Sequence, residues 1–229
     1  MSIIVDCKAV SKTYGEGEIA VHAVNAVDLS VEKGEFISLS GPSGSGKTTL
    51  LNMMGGLDAL SSGEIIVDGQ SINTLGKAQL ADLRLNHIGF VFQAYNLIPV
   101  LSAYENVEFI MQLQGVAATE RRKRAHEILV EVGLEGMGER RPAQLSGGQQ
   151  QRVAVARAMV SKPSIIFADE PTANLDSHTS DDLLDLMQHL NQEHSTTFIV
   201  ATHDPKVIDF TRRRIRMRDG KIIEDEVAA

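Results

Sequence analysis

Gly41-Pro42-Ser43-Gly44-Ser45-Gly46-Lys47-Thr48 fits G-x-x-x-x-G-K-[ST] at every position. Its glycines let the backbone curl so that successive N–H groups point at phosphate oxygens. A helix starting after Gly46 aims the positive end of its dipole at the same anion. Lys47 adds a point charge for the β- and γ-phosphates, and the Thr48 hydroxyl suits Mg²⁺, a hard cation that prefers oxygen ligands. The flanks have the form this chemistry requires. Glu35-Phe36-Ile37-Ser38-Leu39-Ser40 is a short apolar run before the loop, and residues 47–56 have a helical pattern after it. Strand, glycine loop and helix together open a nucleotide-binding α/β unit.

Farther along, Ile165-Ile166-Phe167-Ala168-Asp169-Glu170 is an apolar strand ending in two carboxylates. Acids at the end of a buried strand are costly unless they are used. Asp169 is placed to hold Mg²⁺ directly or through water, and Glu170 to take a proton from an attacking water. Around these landmarks the pattern predicts strands at 3–7, 21–29, 63–69, 88–92, 165–168 and 197–201, with Gly15-Glu16-Gly17-Glu18 as an early break. From about 103 to 160 the pattern is helical. Ala125, Ile128, Leu129 and Val132 fall close to a 3.6-residue period within 120–133. A further helix is expected over 180–193, and a hairpin turning at Asp219-Gly220 over 215–223. The simplest architecture is an α/β core interrupted by one helical stretch.

Composition narrows the function classes. The chain has 229 residues, enough for one or two domains, with 22 Lys+Arg against 30 Asp+Glu and a net charge of −8. An acidic total argues against coating nucleic acid through bulk charge. The longest apolar runs are strand-sized, whereas a membrane-spanning helix needs roughly 20 apolar residues. The opening Met1-Ser2-Ile3-Ile4-Val5-Asp6 lacks the marks of a secretory signal. Cys7 is the only cysteine, so no internal disulfide forms and a reducing compartment is expected.

Leu145-Ser146-Gly147-Gly148-Gln149, followed by Gln150-Gln151-Arg152-Val153-Ala154-Val155-Ala156-Arg157-Ala158, resembles the signature motif of the ATP-binding cassette (ABC) ATPases. Phosphate loop, signature, acidic strand end and Thr202-His203-Asp204 occur in that family's order. Ser146 is suited to cap a helix whose N-terminal amides form a second anion site. The resemblance covers essentially the whole chain, 1–229. It implies one nucleotide-binding domain with a P-loop NTPase α/β core, an N-terminal antiparallel β subdomain and a helical subdomain inserted at about 94–160. It implies that two copies pair head to tail around two ATP, each ATP lying between one copy's phosphate loop and the other's signature. Position by position, Tyr14 matches the aromatic that stacks on adenine. Gly41, Ser43, Gly44, Ser45, Gly46, Lys47, Thr48 and Thr49 match the phosphate loop, and Ser146, Gly147, Gly148 and Gln149 the signature. Gln93 matches the glutamine at Mg²⁺ or the attacking water, and His203 the histidine at the γ-phosphate. Thr48, Gln93 and Asp169 are then the metal set, and Glu170, His203, Gln93 and Lys47 the catalytic set. Asp176 matches the loop that communicates across the dimer. Asn174 departs from the commoner Ala before Leu-Asp, and Thr48 from the commoner Ser.

Gly55-Gly56-Leu57-Asp58, Phe92-Gln93-Ala94-Tyr95-Asn96-Leu97-Ile98-Pro99 and Met217-Arg218-Asp219-Gly220 look most like the lipoprotein-release and macrolide-export ATPases. That resemblance implies an integral membrane permease partner, a place on the cytoplasmic face of a bacterial inner membrane, and no nucleic-acid ligand. Leu97, Ile98, Val100, Leu101, Tyr104 and Val107 form an apolar group that is either a groove for a permease helix or the helical region's own core. The runs Arg121-Arg122-Lys123-Arg124 and Arg212-Arg213-Arg214 read as solvated faces. Alternatives are a regulatory relative of the cell-division branch, or a soluble ABC ATPase of DNA repair or translation. About 100 residues without sustained heptads separate Lys47 from the signature, which argues against the coiled-coil repair type.

Overall fold

The computed structural model describes residues 2–227. Two long strands, β1 (Ile3–Tyr14) and β2 (Val21–Glu32), pair antiparallel. Both run well past the apolar segments that predict them, carried through register shifts where Ala9 and Ala26 take positive φ. A single 3₁₀ turn, Gly17–Ile19, lies between them. β3 (Phe36–Ser40) leads through the glycine loop into α1 (Lys47–Met54). β4 (Ser62–Val67) and β5 (Gln70–Ser71) return to the first pair, giving an antiparallel sheet in the order β2-β1-β4-β5.

The second sheet is built from β6 (Ile88–Phe92), β7 (Ile165–Asp169), β8 (Thr197–Thr202), β9 (Arg213–Arg218) and β10 (Lys221–Val227), with β3 inside it. Its order is β10-β9-β3-β8-β7-β6. Every neighbouring pair is parallel except the terminal hairpin of β9 and β10. The near-continuous apolar runs follow from burial on both faces. Phe167 and Ile199 point into one core with Leu39, α1 and the antiparallel sheet. Ile166, Ala168, Phe198 and Val200 point into a second core against helices. Leu50, Leu51, Met53 and Met54 of α1 are wholly buried, and α1 touches β2 and β4 of one sheet and β7 and β8 of the other. The phosphate loop thus sits at the end of a central strand, wedged by a fully packed helix.

Three helices occupy the middle of the chain: α3 (Ala103–Leu113), α4 (Ala118–Glu131) and α5 (Gly147–Met159). Residues 132–146, expected to be helical, are not. Gly133 and Gly136 take positive φ, and Pro142–Gln144 form only a 3₁₀ turn. α6 (Ser177–His194) covers the second core, and Asp176 caps its start. Two helices have no forecast in the sequence pattern: α2 (Lys77–His87), which buries only Leu83, and α7 (Pro205–Phe210), which buries only Val207. One buried side chain per helix leaves no 3.6-residue period to detect.

The two arginine runs are not simple solvated faces. Arg122 pairs with Glu108 and Glu139 and lies over the Tyr104 ring, while Arg121 and Arg124 donate to the Val116 and Val160 carbonyls. Arg213 bridges Glu35 and Asp225. Of the first run, Lys123 alone is an exposed cation held only by a loose i,i+4 pair with Glu127.

Candidate active site

β3 and α1 hold the glycine loop in a shape that side chains would break. A Cβ at Gly41 (φ +148) would lie 2.3 Å from the Met217 carbonyl oxygen. One at Gly46 (φ +99) would lie 2.3 Å from that of Ala23. The loop is therefore pressed between β2 and the end of β9. The terminal hairpin braces it further: the Gly220 N–H donates to the Ser45 carbonyl at 3.1 Å, and Asn25 N–H donates to that of Gly220 at 2.8 Å. Lys47 is largely buried, and its ammonium donates to the Gly41 and Pro42 carbonyls at 2.7 and 3.1 Å, across the mouth of the loop. The Ser45 hydroxyl is buried without a partner among the described residues.

This loop forms one wall of a cavity of about 890 Å³. Tyr14, Ser43, Gly44, Ser45, Gly46, Lys47, Thr48, Thr49, Gln93, Asp169, Glu170 and His203, drawn from five separate stretches of sequence, all line it. Thr48 Oγ1 donates to Asp169 Oδ1 at 3.0 Å, joining the helix start to the end of β7. Burial pushes the Asp169 carboxyl up and the neighbouring Glu170 charge adds to this, against the Thr48 hydrogen bond and the Lys47 charge. Glu170 follows in a left-handed conformation, φ 47, which strains a residue with a side chain. Its N–H donates to the Ala201 carbonyl at 2.9 Å. Thr202 Oγ1 donates to Oε2 at 3.1 Å, and His203 Nδ1 lies 2.6 Å from Oε1. Two residues at the end of β8 thus fix both carboxylate oxygens.

The cavity suits Mg²⁺ of a particular kind. Among the described residues no group of three or more His, Cys, Asp or Glu side chains is placed to hold a metal. Of the oxygen donors that line the cavity, the Thr48 hydroxyl, the Asp169 carboxylate and the Gln93 amide make up the expected set, and Thr48 and Asp169 are already joined by a hydrogen bond. Mg²⁺ typically takes one or two protein oxygens and fills its octahedron with substrate phosphates and water, so the residues fit.

Ser146, Gly147, Gly148, Gln149 and Asp176 do not line this cavity. Ser146 caps α5, accepting from Gln149 N–H at 3.3 Å while its own N–H donates to Gln149 Oε1 at 3.0 Å. A Cβ on Gly148 would lie 2.3 Å from Thr179 Cγ2, and one on Gly147 2.9 Å from the Tyr95 hydroxyl. The signature is thus packed edge-on against α6 and the loop after β6. Asp176 accepts from His178 and Thr179 N–H at 3.1 and 3.0 Å and from the Thr179 hydroxyl at 2.7 Å; the Thr179 backbone contact leads in holding its carboxyl low.

Several contacts escape a reading by motif. Asn174 Nδ2 donates to the Gln93 carbonyl at 2.9 Å, tying the loop after Glu170 to the loop after β6. Arg157, whose pKa burial lowers, donates to the Tyr95 and Asn96 carbonyls, both residues with positive φ. Val21, His22, Ala23, Pro42 and Asp219 also line the cavity. Asp219-Gly220 carries a turn signal, but nothing local says that the turn faces the phosphate loop.

The apolar group after Gln93 divides. Val107 is fully buried and Leu97 and Tyr104 pack on the second core, while Ile98 lines an open groove of about 660 Å³ with Leu57, Phe90, Phe92, Phe109 and Leu113. Val100 is 69% exposed and Leu101 half-buried. Phe109 and Leu113, exposed on α3, extend that surface beyond the residues the sequence singles out.

Residues 24–173 match the family model described as ABC transporter. The chain is 44% identical over 223 residues to the lipoprotein-releasing system ATP-binding protein LolD of Chromohalobacter salexigens, covering 97% of this chain and 94% of that protein. It is 45% identical over 222 residues to the macrolide export ATP-binding/permease protein MacB of Marinobacter nauticus, covering 97% of this chain but 34% of that protein. The chain therefore spans about a third of the macrolide-export relative. Among solved structures it is similar to the dimeric post-hydrolysis state of the ATP-binding cassette MJ0796 of Methanocaldococcus jannaschii bound to ADP and Pi. The TM-score is 0.90 at 45% identity, covering 98% of this chain and 99% of that one.

Proposed function

The chain belongs to the ABC transporter family, and from that premise we propose that it is an ATP-hydrolysing subunit which pairs with a second copy around two ATP and drives a membrane permease of the lipoprotein-release or macrolide-export type. The observation that carries this reading is the convergence of Lys47, Thr48, Gln93, Asp169, Glu170 and His203 on one cavity behind a braced phosphate loop.

Phosphoryl transfer to water needs little covalent help; it needs positioning and charge stabilisation. The loop amides and Lys47 hold the β- and γ-phosphates. Thr48, Asp169 and Gln93 hold Mg²⁺, which when bound neutralises phosphate charge. Glu170 orients the attacking water and takes its proton. Thr202 and His203 fix the carboxylate for that task, and His203, which also lines the cavity, meets the γ-phosphate. Tyr14 stacks on adenine at the open end.

The signature stands apart from this cavity with its helix start capped and its glycines partly exposed, Gly148 beside Thr179 of α6 and Gly147 beside Tyr95. A head-to-tail pair would bring the partner subunit's Ser146 and Gly148 onto each ATP, which supports the dimer. We assign α3, α4 and α5 with the loops between them to a helical unit at about 94–160 that carries the signature, and Asp176 caps α6 beside it. The groove beside α3 is the contact for a cytoplasmic helix of the permease. No helix of the described residues is long and apolar enough to cross a membrane. The chain then works as a peripheral subunit on the cytoplasmic face of a bacterial inner membrane.

Purification of the chain from detergent-solubilised native membranes tests the proposal. A permease of the lipoprotein-release or export type should come with it, and added MgATP should be hydrolysed. Recovery with division proteins, ribosomes or DNA, and no permease, would overturn the transport role.

A further inference from the structure

Tyr14 does not stand alone at the open end of the nucleotide cavity. Its phenol donates to Asp58 Oδ2. The other oxygen of the same carboxylate, Oδ1, accepts from Lys12 Nζ at 2.6 Å, and Lys12 Nζ also donates to the Ala59 carbonyl at 2.5 Å. The ammonium is therefore over the Tyr14 ring, 4.7 Å from its centroid. The Lys12 side chain is only 12% exposed and that of Asp58 29%, whereas Tyr14 itself is 44% exposed. Lys12 thus covers one ring face and Asp58 tethers the hydroxyl, while the residue remains partly exposed and lines the cavity.

Asp58 is in turn fixed to α1. The N–H groups of Leu57 and Asp58 both donate to the Asn52 carbonyl, at 2.8 and 3.2 Å. The helix that begins with Lys47 and Thr48 therefore also sets the position of Tyr14, through Gly55-Gly56-Leu57-Asp58.

We propose that Asp58 and Lys12 are positioning residues for the nucleotide base: they lock the Tyr14 ring so that the face away from Lys12 is presented to adenine at a fixed distance from the phosphate loop. This rests on Tyr14 being the base platform. The ionisation states agree with the geometry. Burial would raise the Asp58 carboxyl, but Lys12 and Tyr14 outweigh it and hold it low, so it is charged at neutral pH. The hydrogen bond to Asp58 raises the Tyr14 phenol, with burial adding and the Thr49 hydroxyl opposing, so it stays protonated and donates.

The experiment compares binding of MgATP and of magnesium tripolyphosphate, which has the phosphates and no base, to the full chain by calorimetry. Tyr14→Ala should weaken MgATP about tenfold, the scale on which loss of an aromatic platform weakens a bound base. Tripolyphosphate should stay within about twofold. Asp58→Ala should reproduce that selective loss, and Tyr14→Ala with Asp58→Ala together should be no worse than Tyr14→Ala alone, because one acts through the other. Tyr14→Phe cuts the tether without burying a charge, so it reports even if Asp58→Ala fails to fold; about a threefold selective loss is expected. If Tyr14→Ala is selective while Asp58→Ala and Tyr14→Phe leave MgATP unchanged, the positioning role falls and the base platform stands. Equal weakening of both ligands by Asp58→Ala would also overturn it, assigning Asp58 to the phosphate loop. If Tyr14→Ala is itself not selective, the base platform falls and the positioning role with it.

Discussion

Replacing Glu170 with Gln separates chemistry from binding. The carboxylate has both oxygens engaged, Oε2 by the Thr202 hydroxyl at 3.1 Å and Oε1 by His203 Nδ1 at 2.6 Å, and its side chain is only 16% exposed. Glutamine has the same length and keeps one acceptor, so Thr202 remains satisfied. The loss is one charge-assisted hydrogen bond, worth about 1–2 kcal/mol of stability, and the fold survives. In the proposed mechanism catalysis loses its proton acceptor. A positioned general base contributes about 10²–10⁴-fold, or roughly 2.7–5.4 kcal/mol of barrier at 1.36 kcal/mol per decade. Steady-state hydrolysis of MgATP should therefore fall by at least about a hundredfold, while MgATP affinity stays near the parental value. Because the ATP is no longer consumed, light scattering should show a persistent dimer with MgATP. Hydrolysis at the parental rate would refute the role of Glu170. A mutant that lost ATP binding as well would mean that the carboxylate organises the cavity and is not its base.

Gly148→Ala places a methyl 2.3 Å from Thr179 Cγ2, inside van der Waals contact. It should cost about 2 kcal/mol and lower Tm by roughly 6 °C in a calorimetric scan, and an unchanged Tm would contradict that packing. Leu113→Glu puts a charge in the groove at a position 58% exposed. Tm should shift by no more than about 2 °C while permease retained on the tagged chain drops at least about tenfold; full retention would remove the groove from the permease contact. Cys7 is 2% exposed, and burial, with the charges of Asp6 and Asp28 adding, pushes its thiol up to about 12. A raised thiol stays protonated below its folded pKa, so a thiolate-selective disulfide reagent at pH 8 should leave the native chain untouched and titrate one thiol after denaturation. Rapid native reaction would contradict the burial of β1.

The sequence predicts what is carried by contiguous chemistry. The phosphate loop is legible because its glycines, Lys47 and Thr48 each have a local job within eight adjacent residues. β7 is legible because burial on both faces leaves an uninterrupted apolar run ending in Asp169 and Glu170. Asn174 is visible only as a departure from a pattern; its bond to the Gln93 carbonyl links residues far apart in sequence. Asp58 and Tyr14 likewise meet only because β1 and the turn after α1 are neighbours in space. The arginine run at 121–124 suggests solvent because charge is local information, whereas the Tyr104 ring, Glu139 and the Val160 carbonyl that hold Arg122 and Arg124 are tertiary. α2 escapes because a single buried Leu83 makes no periodic stripe.

In the proposed dimer each ATP is completed by the phosphate loop of one copy and the signature of the other. Mixing a Lys47→Ala chain with a Ser146→Arg chain tests it most directly. Each variant alone should be inactive, because every site in its dimer lacks either a phosphate-loop lysine or a signature serine. In a mixed dimer one site joins an intact phosphate loop to an intact signature, so ATP hydrolysis should return on mixing. A mixture no more active than its components would contradict the shared site and place the complete site within a single chain.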